Sequence, residues 1–412
     1  MELARLERLL FRRADGAVGS SDARPKVAFF VLRSREESAQ LTGGTLSNLA
    51  LFSSLVRHDV VVVVNARDIL AEELERRGIR CVVLPEDELS WAHARKDART
   101  LARRVFKALR FNARVLGLCV KEGVSVLQCD EAATLFVGPG AKLAGARLVV
   151  AYRNHPGVVP RMKTFYKLPT LFADRLVATS ELLREAVVGQ GWRGAAERTL
   201  RIYNGIDLER VRAQTAGRDR GEERAARGIA GDEVAIGVIG SIVPFKLQVE
   251  LLRDVIAPHA DRFRAAKARF HFLGGVKDEA YAAKCRALVE ELRLGDLTSW
   301  AGYIADMTPW LFSLDLVAFP APEGTARTLL EAAAFGIPAV ARETSREAVM
   351  HGENGFLCGE VKDLAEPLLR LAGDAELRAR MSTRGRALAD ERFDIRKNRE
   401  TYARVYDELV KR

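Results

Sequence analysis

The sequence contains few cysteines and no arrangement of them that indicates a disulfide framework or a zinc site. Five cysteines are scattered over 412 residues, at positions 81, 119, 129, 285 and 358, without a CxxC pair or a Cys/His cluster. Disulfide-rich secreted domains and structural zinc modules space their cysteines closely. The cysteine usage therefore argues against both classes and favours a reducing cytoplasm.

Long apolar runs are absent as well. The longest runs, such as residues 60–64, have the length of a strand, whereas a membrane-spanning helix needs roughly 20 consecutive apolar residues. The first residues carry charges every few positions and lack the uninterrupted apolar core of a signal peptide. We therefore expect a cytoplasmic protein without a transmembrane segment.

Basic residues are in excess and unevenly distributed. Lys and Arg number 65 against 55 Asp and Glu, which gives a net charge of +10 and suggests anionic partners. Residues 95–121 contain nine basic residues interleaved with apolar ones, which predicts a basic amphipathic helix. Two interpretations stay open: a solvated helix packed on a sheet, or a peripheral contact with anionic membrane. Nucleic-acid binding is not expected, because no aromatic-rich basic groove or known module is visible.

Short apolar runs alternate with helical patterns along most of the chain, which predicts βαβ units and parallel sheets. The pattern breaks near residue 207 and restarts at residue 234, and a chain of 412 residues exceeds what one core usually supports. The fold class is therefore α/β, with two doubly wound Rossmann-like domains. Ligands of such sheets bind outside the carboxyl ends of the strands, so we expect the site in the cleft between the domains.

The predicted organisation has five parts. They are a basic N-terminal extension (1–25), an N-terminal Rossmann-like domain (26–207), a linker (208–233), a C-terminal Rossmann-like domain (234–395) and a C-terminal helix (396–412) that packs back on the N-terminal domain.

Residues 320–336, PAPEGTARTLLEAAAFG, carry the most informative pattern. A buried strand ends at Pro320, Glu323 lies on a turn, and Glu331 lies about two turns into the following helix. Backbone N–H groups from Gly324 to Arg327 can bind a phosphate at the helix start, where the helix dipole helps. The alternative is that Glu323 merely caps the helix.

This stretch resembles the Glu-x7-Glu motif of retaining glycosyltransferases of the GT-B fold, specifically glycosyltransferase family 4 (glycosyl transferases group 1). Other segments resemble that family in the same order along residues 26–405. These are residues 43–45, 57–60, 202–207, 240–246, 272–275, 301–302, 331–338 and 352–356. Any one of them is weak, and their order gives the resemblance its weight.

The resemblance implies a fold with two Rossmann-like domains facing across a cleft, the N-terminal domain on the acceptor side and the C-terminal domain binding the nucleotide sugar. It also implies an activity. The expected reaction moves a sugar from a nucleotide-diphosphate-sugar donor to a hydroxyl of a glycan or glycolipid acceptor, with retention. Bacterial surface polysaccharide or lipopolysaccharide synthesis is the expected setting. The alternatives are a catalytically silent GT-B scaffold at a membrane and a sugar-nucleotide epimerase.

The resemblance also implies roles for particular residues. Glu331 would hold the ribose hydroxyls, Glu323 the sugar and Lys246 the diphosphate, while Gly44 would let the N-terminal loop approach the phosphate closely. His155 would lie near the sugar, with Arg153 a second choice. Asp130, Glu131 and Lys163, at predicted strand ends that face the cleft, are weaker candidates for acceptor contacts.

Two departures from the family pattern concern the donor site. Ser241 follows Gly240 where the family often has an arginine, so the second phosphate contact is either missing or, as we hypothesise, supplied by Arg327. Thr325 and Ala326 stand in place of Phe-Gly, and Thr325 is expected to cap the helix. We expect no metal site and no cofactor besides the donor substrate, because cationic side chains can stabilise the leaving diphosphate.

Overall fold

The structure is a computed structural model that describes residues 24–32, 41, 43–86, 98–153, 169–189 and 194–411. The described residues form two compact units. One comprises the residues up to Ile202 together with those from Arg399 onward, and the other runs from Tyr203 to Asn398. Each unit is built around one parallel sheet, so the predicted α/β class with two doubly wound units is confirmed.

The first unit contains a seven-stranded parallel sheet in the order β3-β2-β1-β4-β5-β6-β7. Its strands are β1 (Lys26–Val31), β2 (Asp59–Val64), β3 (Arg80–Val83), β4 (Val126–Asp130), β5 (Arg147–Tyr152), β6 (Arg175–Ala178) and β7 (Thr199–Arg201). Its helices are α1 (Gly43–Ser54), α2 (Ile69–Arg76), α3 (Ala98–Glu122), α4 (Thr134–Leu143), α5 (Pro169–Phe172), α6 (Glu181–Val188) and α7 (Ala195–Arg198).

Continuous apolar runs form the strands of this sheet because both of its faces are buried. On β1, Phe29 packs into one core cluster and Phe30 into another, since successive side chains point to opposite faces. Both phenylalanines are 2% exposed.

The structure differs from the sequence prediction at residues 43–45. These residues were expected in a glycine-rich loop, but Gly43 and Gly44 lie in the first turn of α1. Glycine adopts helical and extended backbone angles with similar ease, so a glycine pair before an apolar-periodic run does not by itself mark a loop.

The second unit contains a six-stranded parallel sheet in the order β10-β9-β8-β11-β12-β13. Its strands are β8 (Val234–Ile239), β9 (Ala268–Leu273), β10 (Thr298–Gly302), β11 (Leu316–Phe319), β12 (Ala339–Arg342) and β13 (Gly355–Cys358). Its helices are α8 (Leu208–Thr215), α9 (Arg220–Ala225), α10 (Gln248–Glu250), α11 (Ala260–Ala265), α12 (Glu279–Glu291), α13 (Thr308–Ser313), α14 (Arg327–Phe335), α15 (Ala365–Gly373) and α16 (Ala375–Leu388).

Residues 208–233, described from the sequence as a linker, form α8 and α9 and belong to the second unit. Arg224 on α9 is buried and donates to Asp315 Oδ2 at 2.9 Å, just before β11. Although burial opposes ionisation of Asp315, hydrogen bonds from Arg220 and the Ala235 amide hold its pKa below the ordinary value. Polar contacts therefore hold this segment on the sheet.

The last helix, α17 (Ile395–Lys411), begins in the second unit and continues into the first. Its buried side chains Tyr402, Val405, Tyr406 and Leu409 join the core that also contains Phe29. The hydroxyl of Tyr406 donates to Gln128 Oε1 on β4 at 2.7 Å. Among the helices within the described ranges, none is both long and apolar enough to span a membrane.

Candidate functional site

Lys246 and Glu323 meet at the carboxyl edge of the second sheet. Strands β8 and β11 are neighbours in that sheet, so the segments that follow them start side by side. Lys246 lies seven residues beyond β8 and Glu323 four beyond β11, and Lys246 Nζ forms an ion pair with Glu323 Oε1. Both side chains are partly buried, with 21% and 28% of their surface exposed. The topology thus brings together two residues that the sequence assigns to the donor site.

The backbone at the end of β8 lies closer to the backbone that follows β9 than a side chain would permit. Gly240 has a φ of +148°, which favours glycine, and a Cβ there would lie 3.2 Å from Lys246 Cε. A Cβ on Gly274, which follows β9, would lie 2.0 Å from the carbonyl oxygen of Gly240. These two glycines leave the edge of the sheet open beside the Lys246 side chain.

A short 3-10 turn, Pro244–Lys246, positions the lysine. Leu247, which follows the turn, has left-handed backbone angles (φ 57°, ψ 36°), and the helix begins at Gln248. The left-handed residue ends the turn and redirects the chain into α10. The Lys246 ammonium lies 5.3 Å from the ring centroid of Phe319, the last residue of β11, so a cation–π contact supports its placement.

The backbone of Glu323 is fixed by residues that follow β12. Ser345 Oγ donates to the Glu323 carbonyl oxygen at 2.7 Å, and Thr344 Oγ1 donates to the same oxygen at 3.2 Å. Ser345 is fully buried. The sequence analysis does not identify these two hydroxyl residues, because nothing local in their segment indicates that they contact a turn 21 or 22 residues away.

Helix α14 begins later than the sequence predicts. Its first residue is Arg327 and its N-cap residue is Ala326, whose side chain offers no cap. Thr325, expected to cap the helix, lies one residue before that position and is buried. Gly324 and Thr325 belong to the turn between β11 and α14.

Arg327 and Glu331 form a second ion pair on α14. Arg327 Nε donates to Glu331 Oε1 at 2.7 Å, and each side chain is 19% exposed. The spacing of four residues puts both side chains on one face of the helix. With Lys246 and Glu323, the edge of the sheet therefore holds two cations and two carboxylates in matched pairs. An incoming diphosphate would find these cations already paired with carboxylates.

Ser241 lies directly after Gly240, and its carbonyl oxygen accepts from Gln248 Nε2 at 3.0 Å. This bond ties the end of β8 to the first residue of α10 and so fixes the loop that carries Lys246. Within the described part of the chain, no group of three or more His, Cys, Asp or Glu residues is arranged to hold a metal ion.

In the first unit, a separate cluster forms around Arg153, directly after β5. Its Nε donates to Asp130 Oδ1 at 2.8 Å, and its backbone N–H donates to Glu131 Oε2 at 3.2 Å. Its guanidinium also donates to Asn48 Oδ1 on α1. Although burial disfavours the charged guanidinium, the Asp130 carboxylate holds the pKa of Arg153 above its ordinary value.

The structure thus brings Arg153 and Glu131 together at the carboxyl edge of the first sheet. Gly44 lies one turn before Asn48 on the same helix. Asp130, a weaker candidate from the sequence, and Asn48, which the sequence analysis does not identify, complete the cluster. His155 and Lys163 lie outside the described residues.

Residues 233–374 match the family model described as glycosyl transferases group 1. The matched range is about a third of the chain and lies within the second unit. It contains Lys246, Glu323, Arg327 and Glu331, so both ion pairs lie within the matched segment. The family predicted from the ordered motifs is confirmed at this level.

A sequence relative supports the same family. The chain is 26% identical over 215 residues to the N-acetyl-alpha-D-glucosaminyl L-malate synthase of Bacillus anthracis. The match covers 51% of this chain and 54% of the relative, so the chain spans about half of that enzyme's length.

Solved structures match over nearly the whole chain. HepE of Anabaena, in complex with UDP and glucose, superposes with a TM-score of 0.75 at 22% identity, covering 93% of this chain and 100% of HepE. WaaG, a glycosyltransferase involved in lipopolysaccharide biosynthesis, gives a TM-score of 0.65 at 14% identity, covering 92% of this chain and 99% of WaaG. The chain therefore has the GT-B fold, as predicted.

Proposed function

We propose that the protein is a retaining glycosyltransferase that moves a sugar from a nucleotide-diphosphate-sugar donor to a hydroxyl of a glycan or glycolipid. One observation carries the proposal. The segment that matches the group 1 family model, residues 233–374, pairs Lys246 with Glu323 and Arg327 with Glu331. Both pairs lie at the carboxyl edge of the second sheet, where open α/β sheets bind ligands. In such a site the two cations can bind a diphosphate, and the two carboxylates can accept hydrogen bonds from the hydroxyls on either side of that diphosphate.

The donor would contact each of these groups according to its chemistry. The Lys246 ammonium and the Arg327 guanidinium would bind the diphosphate through charge-assisted hydrogen bonds. Glu331 would accept hydrogen bonds from the ribose diol and Glu323 from the sugar hydroxyls. Backbone groups of Ser241, Gly324 and Thr325 would complete the donor contacts, and Gly44 stays among the residues that we propose to bind the donor.

The catalytic proposal follows from the charge that develops in the reaction. Breaking the anomeric bond leaves a diphosphate anion and an oxocarbenium-like sugar, and the cations stabilise the departing charge. The acceptor hydroxyl would then attack from the face that the diphosphate leaves, which retains the anomeric configuration. His155 or Arg153 would contact the sugar, with Glu131 and Lys163 on the acceptor side. Neither a metal ion nor a cofactor enters this scheme.

We propose a uridine nucleotide as the first donor to test, because the HepE structures contain UDP and UDP-glucose. The proposed setting is the inner face of a bacterial membrane, during synthesis of lipopolysaccharide or another surface glycan. A net charge of +10 and the fold shared with WaaG support that setting.

The decisive experiment is a donor panel. The full chain is incubated with UDP-, GDP- and ADP-sugars, with and without a mixed glycolipid acceptor, and both nucleotide release and transfer are followed. We expect one nucleotide series to be turned over, and NMR of the product should show the anomeric configuration of the donor. Conversion of the donor to its epimer without transfer would identify an epimerase. No binding of any donor would leave only a scaffold.

Chelation tests the metal-free proposal separately. Activity should survive EDTA at a concentration well above any trace metal, because the cations that stabilise the diphosphate are side chains. Abolition by EDTA, with recovery on adding Mg²⁺ or Mn²⁺, would overturn this part of the proposal and leave the transferase activity intact.

A further inference from the structure

Helix α3 carries two apolar faces, and only one of them is buried. Phe111, Val115 and Cys119 pack into the core of the first unit with at most 2% of their surface exposed. A second row of apolar residues faces solvent. This exposed apolar stripe consists of Ala102, Val105, Phe106, Leu109, Ala113 and Val120.

The stripe is too concentrated to be a scatter of surface hydrophobics. Phe106, Leu109 and Val120 are 69%, 65% and 65% exposed, and Val105 is 44% exposed. Eleven large apolar side chains are exposed within the described ranges, and four of them lie on this one helix. At 1.5 Å per residue the stripe runs about 27 Å along the helix axis. An apolar surface of this shape on a folded domain marks an interaction site.

Positive charge borders the stripe along one side. At 100° per residue, Arg103, Arg110 and Lys121 project from the adjacent sector of the helix. Lys107, Arg110 and Arg114 share the single carboxylate of Glu86, with N–O distances of 3.4, 2.9 and 3.5 Å. Within α3 itself the only acidic residue is Glu122. The border of the stripe therefore keeps a net positive charge.

We propose that the exposed apolar stripe is a docking surface for an anionic lipid bilayer. The helix would lie in the plane of the headgroups, with Phe106 and Leu109 entering the acyl region and the bordering cations contacting lipid phosphates. A second copy of the chain fits less well, because it would bring the same cations to the same border. Nucleic acid fits less well too, because the centre of the surface is apolar.

This inference deepens the proposed function, since a glycolipid acceptor would be held at the membrane to which the first unit docks. Only the purpose of the docking, which is to hold the enzyme near a glycolipid acceptor, rests on the proposed function. Docking is measured without donor or turnover, so a failure to bind lipid and a failure to transfer sugar are separate results.

The experiment is flotation of the full chain with vesicles of phosphatidylcholine alone or mixed with phosphatidylglycerol. We expect the unmutated chain to bind the anionic vesicles. F106S/L109S should reduce partitioning into the same vesicles by more than about tenfold, because burial of each large apolar side chain in the acyl region stabilises the bound state. Leu143→Ser is the matched control, because Leu143 is 61% exposed in the same unit but lies on α4. All these side chains are exposed, so thermal unfolding should be unchanged.

A charge variant tests the border of the stripe. R103Q/K121Q should weaken binding to anionic vesicles by about 25-fold, at roughly fivefold per cation, and should reduce its dependence on salt. K284Q/R380Q removes the same charge from exposed positions of the second unit and should leave binding unchanged. Equal binding of F106S/L109S and the unmutated chain would overturn the proposal. So would a concentration-dependent dimer in sedimentation that F106S/L109S abolishes, because the stripe would then cover a second copy.

Discussion

The side chains of the candidate donor site neutralise one another in two ion pairs, which leads to a prediction for Glu323. Its carboxylate occupies the Lys246 ammonium that a diphosphate would need. Glu323→Gln should therefore tighten binding of UDP by about fivefold, as expected for a partly exposed ion pair worth about 1 kcal/mol. The same change should lower kcat/KM for the UDP-sugar by about a hundredfold or more, because the sugar loses a charged acceptor. Calorimetry with UDP and initial-rate kinetics separate the two effects.

Two further variants complete this test. Glu353→Gln removes a carboxylate of the same unit that pairs with Arg384, and it should change neither measurement. Lys246→Ala should weaken the binding of UDP. If Glu323→Gln weakens the binding of UDP as much as Lys246→Ala does, the Glu323 carboxylate supports nucleotide binding. It then does not compete with the diphosphate for the Lys246 ammonium.

Arg327 allows a different test, because its guanidinium is bonded to Glu331. If Arg327 replaces the arginine that is absent after Gly240, Arg327→Ala should lower the affinity for UDP by about tenfold, as expected for the loss of one charge-assisted hydrogen bond. Uridine, which has no phosphate, should bind the variant and the unmutated chain equally. Equal weakening of UDP and uridine would mean that Arg327 only positions Glu331 for the ribose, and unchanged UDP affinity would exclude both roles.

At the residue scale, the sequence predicts candidate side chains for a donor site but not how those side chains are paired. Glu323, Arg327 and Glu331 lie in one short segment, so local spacing could connect them. The partner of Glu323 lies 77 residues away, and Asn48 lies 105 residues from Arg153. These contacts depend on which strands are neighbours in a sheet, and that order leaves no local signal in the sequence.

Among the elements, the contact between α3 and α4 is set by a glycine. A Cβ on Gly140 would lie 2.2 Å from the carbonyl oxygen of Asn112, and the Gly140 amide donates to Asn112 Oδ1 at 2.8 Å. Gly140→Ala should force the helices apart and lower the free energy of unfolding by about 1–3 kcal/mol, the usual cost of overpacking. Urea unfolding followed by circular dichroism measures the change.

Gly117 on α3 is the matched control. No atom lies within 4 Å of a Cβ built there, so Gly117→Ala should raise stability by up to about 1 kcal/mol through helix propensity alone. A loss of stability in Gly117→Ala equal to that in Gly140→Ala would show that the close approach of the two helices is not the cause.

The elements themselves were predictable where apolar runs define them and less so where polar contacts do. The run at residues 60–64 lies within β2, and the basic helix predicted from residue 95 appears as α3 from Ala98. Residues 208–233 looked like a linker because large apolar residues are few. Asp207 and Asp219 cap the two helices that form there, and Arg224 reaches Asp315 91 residues away. Side-chain caps and long-range ion pairs leave no hydrophobic period to detect.

On the scale of the whole molecule, the chain completes its first unit only with its last residues. Four side chains of α17, namely Tyr402, Val405, Tyr406 and Leu409, are at most 5% exposed and belong to the first unit's core. At about 1.5–3 kcal/mol for each large apolar side chain buried, they contribute about 6–12 kcal/mol. That is comparable to the entire stability of a typical domain, which is about 5–15 kcal/mol.

A chain that ends after Asn398 should therefore lose the first unit and keep the second. In hydrogen exchange, amides of β1, β4 and β5 should lose their protection, whereas those of β8, β11 and β12 should keep it, because the second unit runs from Tyr203 to Asn398. A chain ending after Val410 removes only the last two residues and should behave like the full chain. If the chain ending at Asn398 kept protection in β1, the aromatic side chains of α17 would be dispensable to that core. If both sheets lost protection together, the two units would not be separable in stability, and the second would depend on residues beyond its own boundary.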